Sequence, residues 1–155
     1  MKSREGTVVD CDDLMDELRD LSMDAGRTRW PDLPDDQLSA RAEQIALGGL
    51  KFFLMKYAPQ SGFVFDRERS LSFEGESGAY CQYAYARATS VLNKVGPLDE
   101  AMADYTVLSC TQSVDLLQSL LAFNGEVRAA AAELKPSLVT KGLYEIAKAL
   151  SLIHI

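Results

Sequence analysis

A chain of 155 residues that is 47% hydrophobic holds enough apolar material for one ordinary domain with a core, or for parts of two. Its formal charge of −7, taken as a sum, argues against a nucleic-acid partner, because phosphates are held by Lys and Arg. It has no run of about 18 apolar residues to cross a membrane, and its first residues are too polar for a secretory signal, so a cytoplasmic protein is expected.

The distribution of charge says more than the sum. Residues 10–36 carry ten acids against Arg19, Arg27 and Arg29, whereas residues 80–155 carry seven acids and six bases. The acidity therefore belongs to the N-terminal third, and the nearly neutral remainder can still meet RNA locally. Cys11, Cys81 and Cys110 are an odd set without a CxxC pair. They read as reduced thiols. Their spacing with His154 does not make a metal site, and no metal is expected.

In chain order, a short polar segment leads into Val8-Val9. Asp10 or Asp12 can cap a helix through about Met23, with Leu14, Leu18 and Leu21 at helical spacing. Gly26 to Pro34 should break it, since a residue before proline avoids the helical region. A second helix is expected from Asp35-Asp36 to about Tyr57, with Ile45, Leu50, Phe53, Leu54 and Tyr57 on its apolar side. Gly48-Gly49 inside it costs about 1 kcal/mol per glycine relative to alanine, which points to close helix packing or a break. Pro59 to Gly62 reads as a turn, and Phe63–Phe65 and Leu71–Phe73 as brief extended pieces. Helical spacing returns over Ser77–Val95 and ends at Gly96-Pro97. Three more helices follow, about Asp99–Phe123, Gly125–Leu134 and Pro136 to the end. The class is mainly α. The acidic helix Asp10–Asp24 reads as a solvent face, because its carboxylates lack a calcium-loop pattern.

Two segments then carry a resemblance. Met1-Lys2-Ser3-Arg4-Glu5-Gly6-Thr7-Val8-Val9, followed by Asp12-Asp13-Leu14, resembles the class I synthetase signature loop (the KMSKS loop) in the form many arginyl-tRNA synthetases use. Phe65-Asp66 through Leu71-Ser72-Phe73-Glu74-Gly75, and then Gly78 to Arg87, is similar to the stretch joining the catalytic domain of those enzymes to their anticodon-binding (DALR) domain. Ile45–Tyr57, with Lys51-Phe52-Phe53, fits as well, so the resemblance covers nearly the whole chain.

This resemblance implies a fold: the end of a class I catalytic domain over residues 1–74, then part of an α-helical anticodon-binding bundle over 75–155. It also implies arginine–tRNA ligase activity in a longer parent, expected to be a monomer. Arginine would be activated with ATP and Mg²⁺ and passed to tRNA(Arg). Met1, Lys2, Ser3 and Arg4 are the implied ATP-phosphate residues, with Lys2 and Arg4 as the catalytic cations. Positive groups aimed at oxygens that gain charge lower such a barrier, and loss of one donor typically costs about 3–4 kcal/mol. The loop departs from the strict pattern, with Ser3 at the second lysine position.

For tRNA contact the candidates are Gln82, Arg87, Lys141 and Tyr144. Gln82 and Arg87 suit either an interdomain hydrogen bond or a tRNA contact. Lys141 and Lys148 suit either a solvated face or phosphates, and Tyr144 is either a core or an RNA residue. Tyr80, Tyr83 and Tyr85 could stack on unpaired bases or sit in the core with a wet hydroxyl. Gly142 stands where the family leads one to expect an aromatic residue that helps read the anticodon loop. The ending Leu150–Ile155 does not look like the family, and both termini are expected to be truncation points. Alone, such a piece should be inactive. The alternatives are a non-catalytic helical module that binds tRNA or a protein, and a damaged reading frame without a function of its own.

Overall fold

The computed structural model of the chain describes residues 10–72, 74–97, 101 and 104–153. Helix α1, Cys11–Arg29, starts at Asp10, whose carboxylate accepts the backbone N–H of Asp12 at 2.8 Å. That satisfies one of the orphan donors of a first turn. Asp12 and Asp13 in the first turn and Arg27 and Arg29 in the last complement the helix dipole. The helix does not break at Gly26. That residue is buried, and a Cβ on it would lie 2.6 Å from Leu38 Cδ1, so the glycine serves close packing rather than a turn. Trp30, ahead of Pro31, ends the helix with its N–H on the Gly26 carbonyl at 2.8 Å.

Helix α2, Asp35–Met55, buries Leu38, Ala42, Ala46, Gly49, Leu50, Phe52 and Phe53. The short connection from Trp30 to Pro34 folds α2 back antiparallel onto α1. Their seam is the core: Leu18, Ala46 and Leu50 are buried together, with Leu14, Met15, Phe65 and Leu71 packed around them. Each fully buried leucine contributes about 1.5–3 kcal/mol. At the end of α2, Phe53 meets Phe65 (4.7 Å between centroids), Phe63 (6.0 Å) and Tyr57 (5.5 Å) edge-on. The Phe63–Phe65 piece is thus held by ring packing and joins no strand.

Helix α3, Arg67–Ser70, is one turn capped by Asp66, which accepts the Arg69 N–H at 3.0 Å. Of the extended piece expected over Leu71–Phe73, Leu71 instead has φ −102° and ψ 1° and closes that turn, and Phe73 lies outside the described residues. Helix α4, Gly78–Val95, is capped by Ser77, whose hydroxyl accepts the Tyr80 N–H at 3.1 Å and donates to the Ser72 carbonyl. It stops at Gly96, where φ is 78°. Among the described residues, Tyr105–Ser109 is a 3-10 turn, and helix α5 runs unbroken over Thr111–Glu133. The two helices expected over Asp99–Phe123 and Gly125–Leu134 are therefore one later-starting helix. Gly125 sits inside it in open space, and its cost of about 1 kcal/mol is smaller than that of breaking a 23-residue helix. Leu134, left-handed at φ 54°, ends α5, and α6, Ser137–Leu152, returns antiparallel along it.

Two antiparallel pairs result, α1–α2 and α5–α6, with α4 packed between α2 and α6. The described residues contain no strand, and no helix among them is long and apolar enough to cross a membrane.

Candidate nucleic-acid interface

The α2–α4 crossing fixes the site. Gly48-Gly49 does not break α2 but thins it. A Cβ on Gly49 would lie 2.8 Å from the Ser70 carbonyl oxygen, and one on Gly78 would run into the Gly48 carbonyl. The side-chain amide of Gln82 fills the space above Gly48 and donates to the Gln44 carbonyl at 2.9 Å. Its Oε1 is buried without a partner. This hydrogen bond spans the division at 74/75 expected from the sequence.

Beside that crossing, α4 and the α1–α2 corner enclose a groove of about 790 Å³. From the corner come Arg29 and Trp30 at the end of α1, and Arg41, Gln44 and Ile45 on α2. From α4 come Gln82, Tyr83, Tyr85 and Arg87, then Ser90, Val91 and Lys94 one and two turns on. Among the described residues, four cations line it and no carboxylate does. The Arg29 and Arg41 guanidiniums lie 5.9 and 5.4 Å from the centre of the Trp30 ring. Such contacts are worth about 0.5–1 kcal/mol at exposed sites, and they orient both side chains. Tyr85 is 74% exposed and Tyr83 44%, so Tyr83 is not a core residue.

Gln82 and Arg87 come together in this groove, while Lys141 and Tyr144 stand apart on α6. Arg87, half-buried, donates to the Ile153 carbonyl at 3.4 Å and so ties α4 to the end of α6. Tyr144, also half-buried, packs on Tyr80 with centroids 5.7 Å apart, which puts both rings in the α4–α6 seam. Lys141 and Lys148 are exposed on α6. Met1, Lys2, Ser3 and Arg4 lie outside the described residues.

Gly142 is buried against α5. A Cβ there would meet the Glu126 carboxylate and lie 2.9 Å from Phe123 Cδ2. An aromatic ring at this position needs α5 side chains to move aside, so in this chain the site serves the α5–α6 contact. The chain's thiols are all free. Burial, and then the Glu76 carboxylate, push the half-buried Cys81 thiol up to about 11. A hydrogen bond with Ser113 at 3.1 Å holds the Cys110 thiol below its usual range.

Sequence reasoning missed Arg29, Trp30, Arg41 and Lys94. A signal existed: the only tryptophan of the chain directly follows Arg29 at the end of the acidic helix, where the surplus of acids drew attention away from it.

Comparison with known proteins matches residues 81–153 to the DALR anticodon binding domain. The chain is 36% identical over 157 residues to the arginine–tRNA ligase of Treponema denticola, covering 97% of this chain and 27% of that protein. It is 34% identical over 148 residues to that of Clostridium beijerinckii, covering 96% and 26%. The structure of Thermus thermophilus arginyl-tRNA synthetase superposes with a TM-score of 0.83 at 30% identity, over 93% of this chain and 24% of that one. The chain spans about a quarter of the length of these relatives. A match along nearly all of this chain, in sequence and in fold alike, means that the chain belongs to the arginyl-tRNA synthetase family.

Proposed function

We propose that this chain is the tRNA-gripping segment of an arginine–tRNA ligase, an ATP-dependent enzyme of the cytoplasm that attaches L-arginine to tRNA(Arg). The observation that carries this reading is the match of residues 81–153 to an anticodon-binding domain, on a body formed by α4, α5 and α6. Residues 1–74 then belong to the end of the catalytic domain and 75–155 to the anticodon-binding domain. The cap at Ser77 and the turn at Gly75, with φ 73°, support a boundary there.

In the tRNA complex, exposed Lys141 meets phosphate. Tyr144, packed on Tyr80, offers the edge of an aromatic pair. Arg87 spends one of its five N–H donors on Ile153 and keeps the others for RNA, whereas the Gln82 amide is taken up by the Gln44 carbonyl and serves the α2–α4 crossing. Gly142 has no ring to stack, so anticodon reading does not pass through that position. At the other end, Lys2, Ser3 and Arg4 carry the chemistry to hold ATP phosphates, with Mg²⁺ accompanying the nucleotide. Bound ATP supplies the anhydride that activates the amino acid. In the full-length parent, Lys2→Ala with Arg4→Ala should lower arginyl-adenylate formation strongly and leave tRNA binding nearly intact. An unchanged activation rate removes both residues from the mechanism.

The test on this chain is a titration with labelled tRNA(Arg) at rising salt. Binding at low salt that weakens steeply as salt increases is expected of phosphate contacts. No binding at low salt sinks the reading, and so does arginyl-adenylate formation by this chain alone. A second reading, a protein-binding module, draws on the exposed apolar stripe of α5, where Leu117, Leu120 and Leu121 are 42, 47 and 81% exposed.

A further inference from the structure

The groove between α4 and the α1–α2 corner lies away from Lys141 and Tyr144, and nothing in the proposed function uses most of its lining. We propose that it is a further RNA-binding surface, meeting the rest at Arg87, in which Arg29, Arg41 and Lys94 neutralise the phosphates of an unpaired stretch of RNA while a base stacks on Tyr85. The proposal rests on the reading of RNA as the partner and adds a second anchoring surface to it.

Charge is the first argument. In a chain of net charge −7, a wall whose described residues include four cations and no carboxylate is a local reversal of sign. Asp24 lies five residues before Arg29 on α1, and Asp32, Asp35 and Asp36 lie three to seven residues after it, but none of these carboxylates lines the groove.

The second argument is that no carboxylate among the described residues pairs with these cations. The ion pairs recorded among the described residues are Arg19–Asp16 and Lys135–Glu133. Arg29 and Arg41 instead rest on the Trp30 ring, which leaves their N–H groups for an incoming acceptor. Trp30 is thus a positioning residue. The third argument is the pairing of cations with bare aromatic surface. Tyr85 is 74% exposed beside them, and single-stranded RNA is held by this combination of basic groove and stacking ring. A volume of about 790 Å³ falls among sites of roughly 300–1,000 Å³ that hold compact ligands, which suits a nucleotide and its flanking phosphates.

The test uses the whole 155-residue chain with two fluorescent probes, a tRNA(Arg) transcript and an oligouridylate. Arg29, Arg41, Lys94 and Tyr85 are all exposed, so their substitution should leave the helical signal and unfolding midpoint in place. For oligouridylate, R29Q/R41Q/K94Q should reduce the slope of log affinity against log salt by about 2, since each single-strand phosphate contact contributes about 0.7. Tyr85→Ser should weaken binding about tenfold with the salt slope unchanged. K141Q should leave oligouridylate binding intact and lower only that of tRNA. Wild-type affinity and slope in the folded triple variant overturn the groove while the proposed function stands. Absence of any RNA binding by the wild-type chain overturns both. If polyglutamate displaces oligouridylate as well, charge for charge, the groove takes acidic peptides and the RNA assignment fails.

Discussion

Helices α2 and α5 are nearly equal in length, 21 and 23 residues, and both are rich in leucine and alanine, yet α2 buries seven residues and α5 only Ser113 and Ala130. Helix α2 has neighbours on several sides, since α1, α3, α4 and α6 all pack on it. Helix α5 has α6 and the short 3-10 turn. Apolar content sets how much area a helix can bury, and its neighbours decide how much it does bury. The largest test of this contrast is a pair of leucine truncations. Leu50→Ala, at a position 4% exposed, should cost about 2–5 kcal/mol by chemical denaturation. Leu121→Ala, at 81% exposed, should stay within about 0.5 kcal/mol. Equal losses would mean that α5 is covered.

Glycine gives the next test. A Cβ on Gly78 would meet the backbone of Gly48, with the carbonyl carbon at 2.8 Å. Backbone cannot swing aside as a side chain can, so Gly78→Ala should cost about 1–3 kcal/mol. Gly125 on α5 has nothing within 4 Å, and Gly125→Ala should raise stability by about 0.5–1 kcal/mol through helix propensity. Thermal unfolding of the two variants should therefore move in opposite directions. A neutral Gly78→Ala would break the picture of a crossing held at backbone contact.

The same glycines show what could be read from the residues. The start of α4 at Ser77 was legible from helical spacing, and the start of α1 because Asp10 or Asp12 can supply a missing acceptor, which is local chemistry. Gly96 was legible as a stop for a similar reason. Gly26 and Gly125 were misread as breaks, since a glycine's local cost is known in advance and the packing that offsets it is not. Gly48-Gly49 was open between packing and a break, and its contacts with Ser70, Gln82 and Gly78 settle that in favour of packing. The groove was out of reach for a different reason. Arg29, Arg41 and Lys94 lie on three helices and meet only once α4 has docked, and counting charge by segment assigned Arg29 to an acidic region. Gln82 and Arg87 were singled out, but their partners, Gln44 and Ile153, were not.

On a smaller scale, the bare side of α5 should show in solution. Leu117, Leu120 and Leu121 leave an apolar stripe open, and such surface drives association. Size-exclusion chromatography of the chain should show concentration-dependent oligomers, with Leu121→Glu shifting the profile towards monomer at unchanged helical content. A wild-type chain that elutes as a monomer at high concentration would show that the stripe is tolerated.

The smallest expected effect separates the two regions by their thiols. Cys81 is half-buried on α4, with its pKa raised to about 11 by burial and then by Glu76. Cys110 is exposed just before α5, and the Ser113 hydrogen bond lowers its pKa. The thiolate is the nucleophile, so iodoacetamide near pH 8 should label Cys110 well before Cys81, as peptide mass mapping can read. Linkage gives a second readout. A thiol whose folded pKa lies above its unfolded value near 9.0 favours the folded state fully below pH 9. Between pH 9 and 11 the unfolded chain releases the proton first, so stability falls across that window. Cys81 is only partly buried, so solvent screening keeps the fall small, and Cys81→Ala should flatten it. Labelling of Cys81 as fast as Cys110, with no change in slope between pH 9 and 11, would show that α4 opens as readily as the start of α5, and the contrast between the two regions would not hold at the level of single side chains.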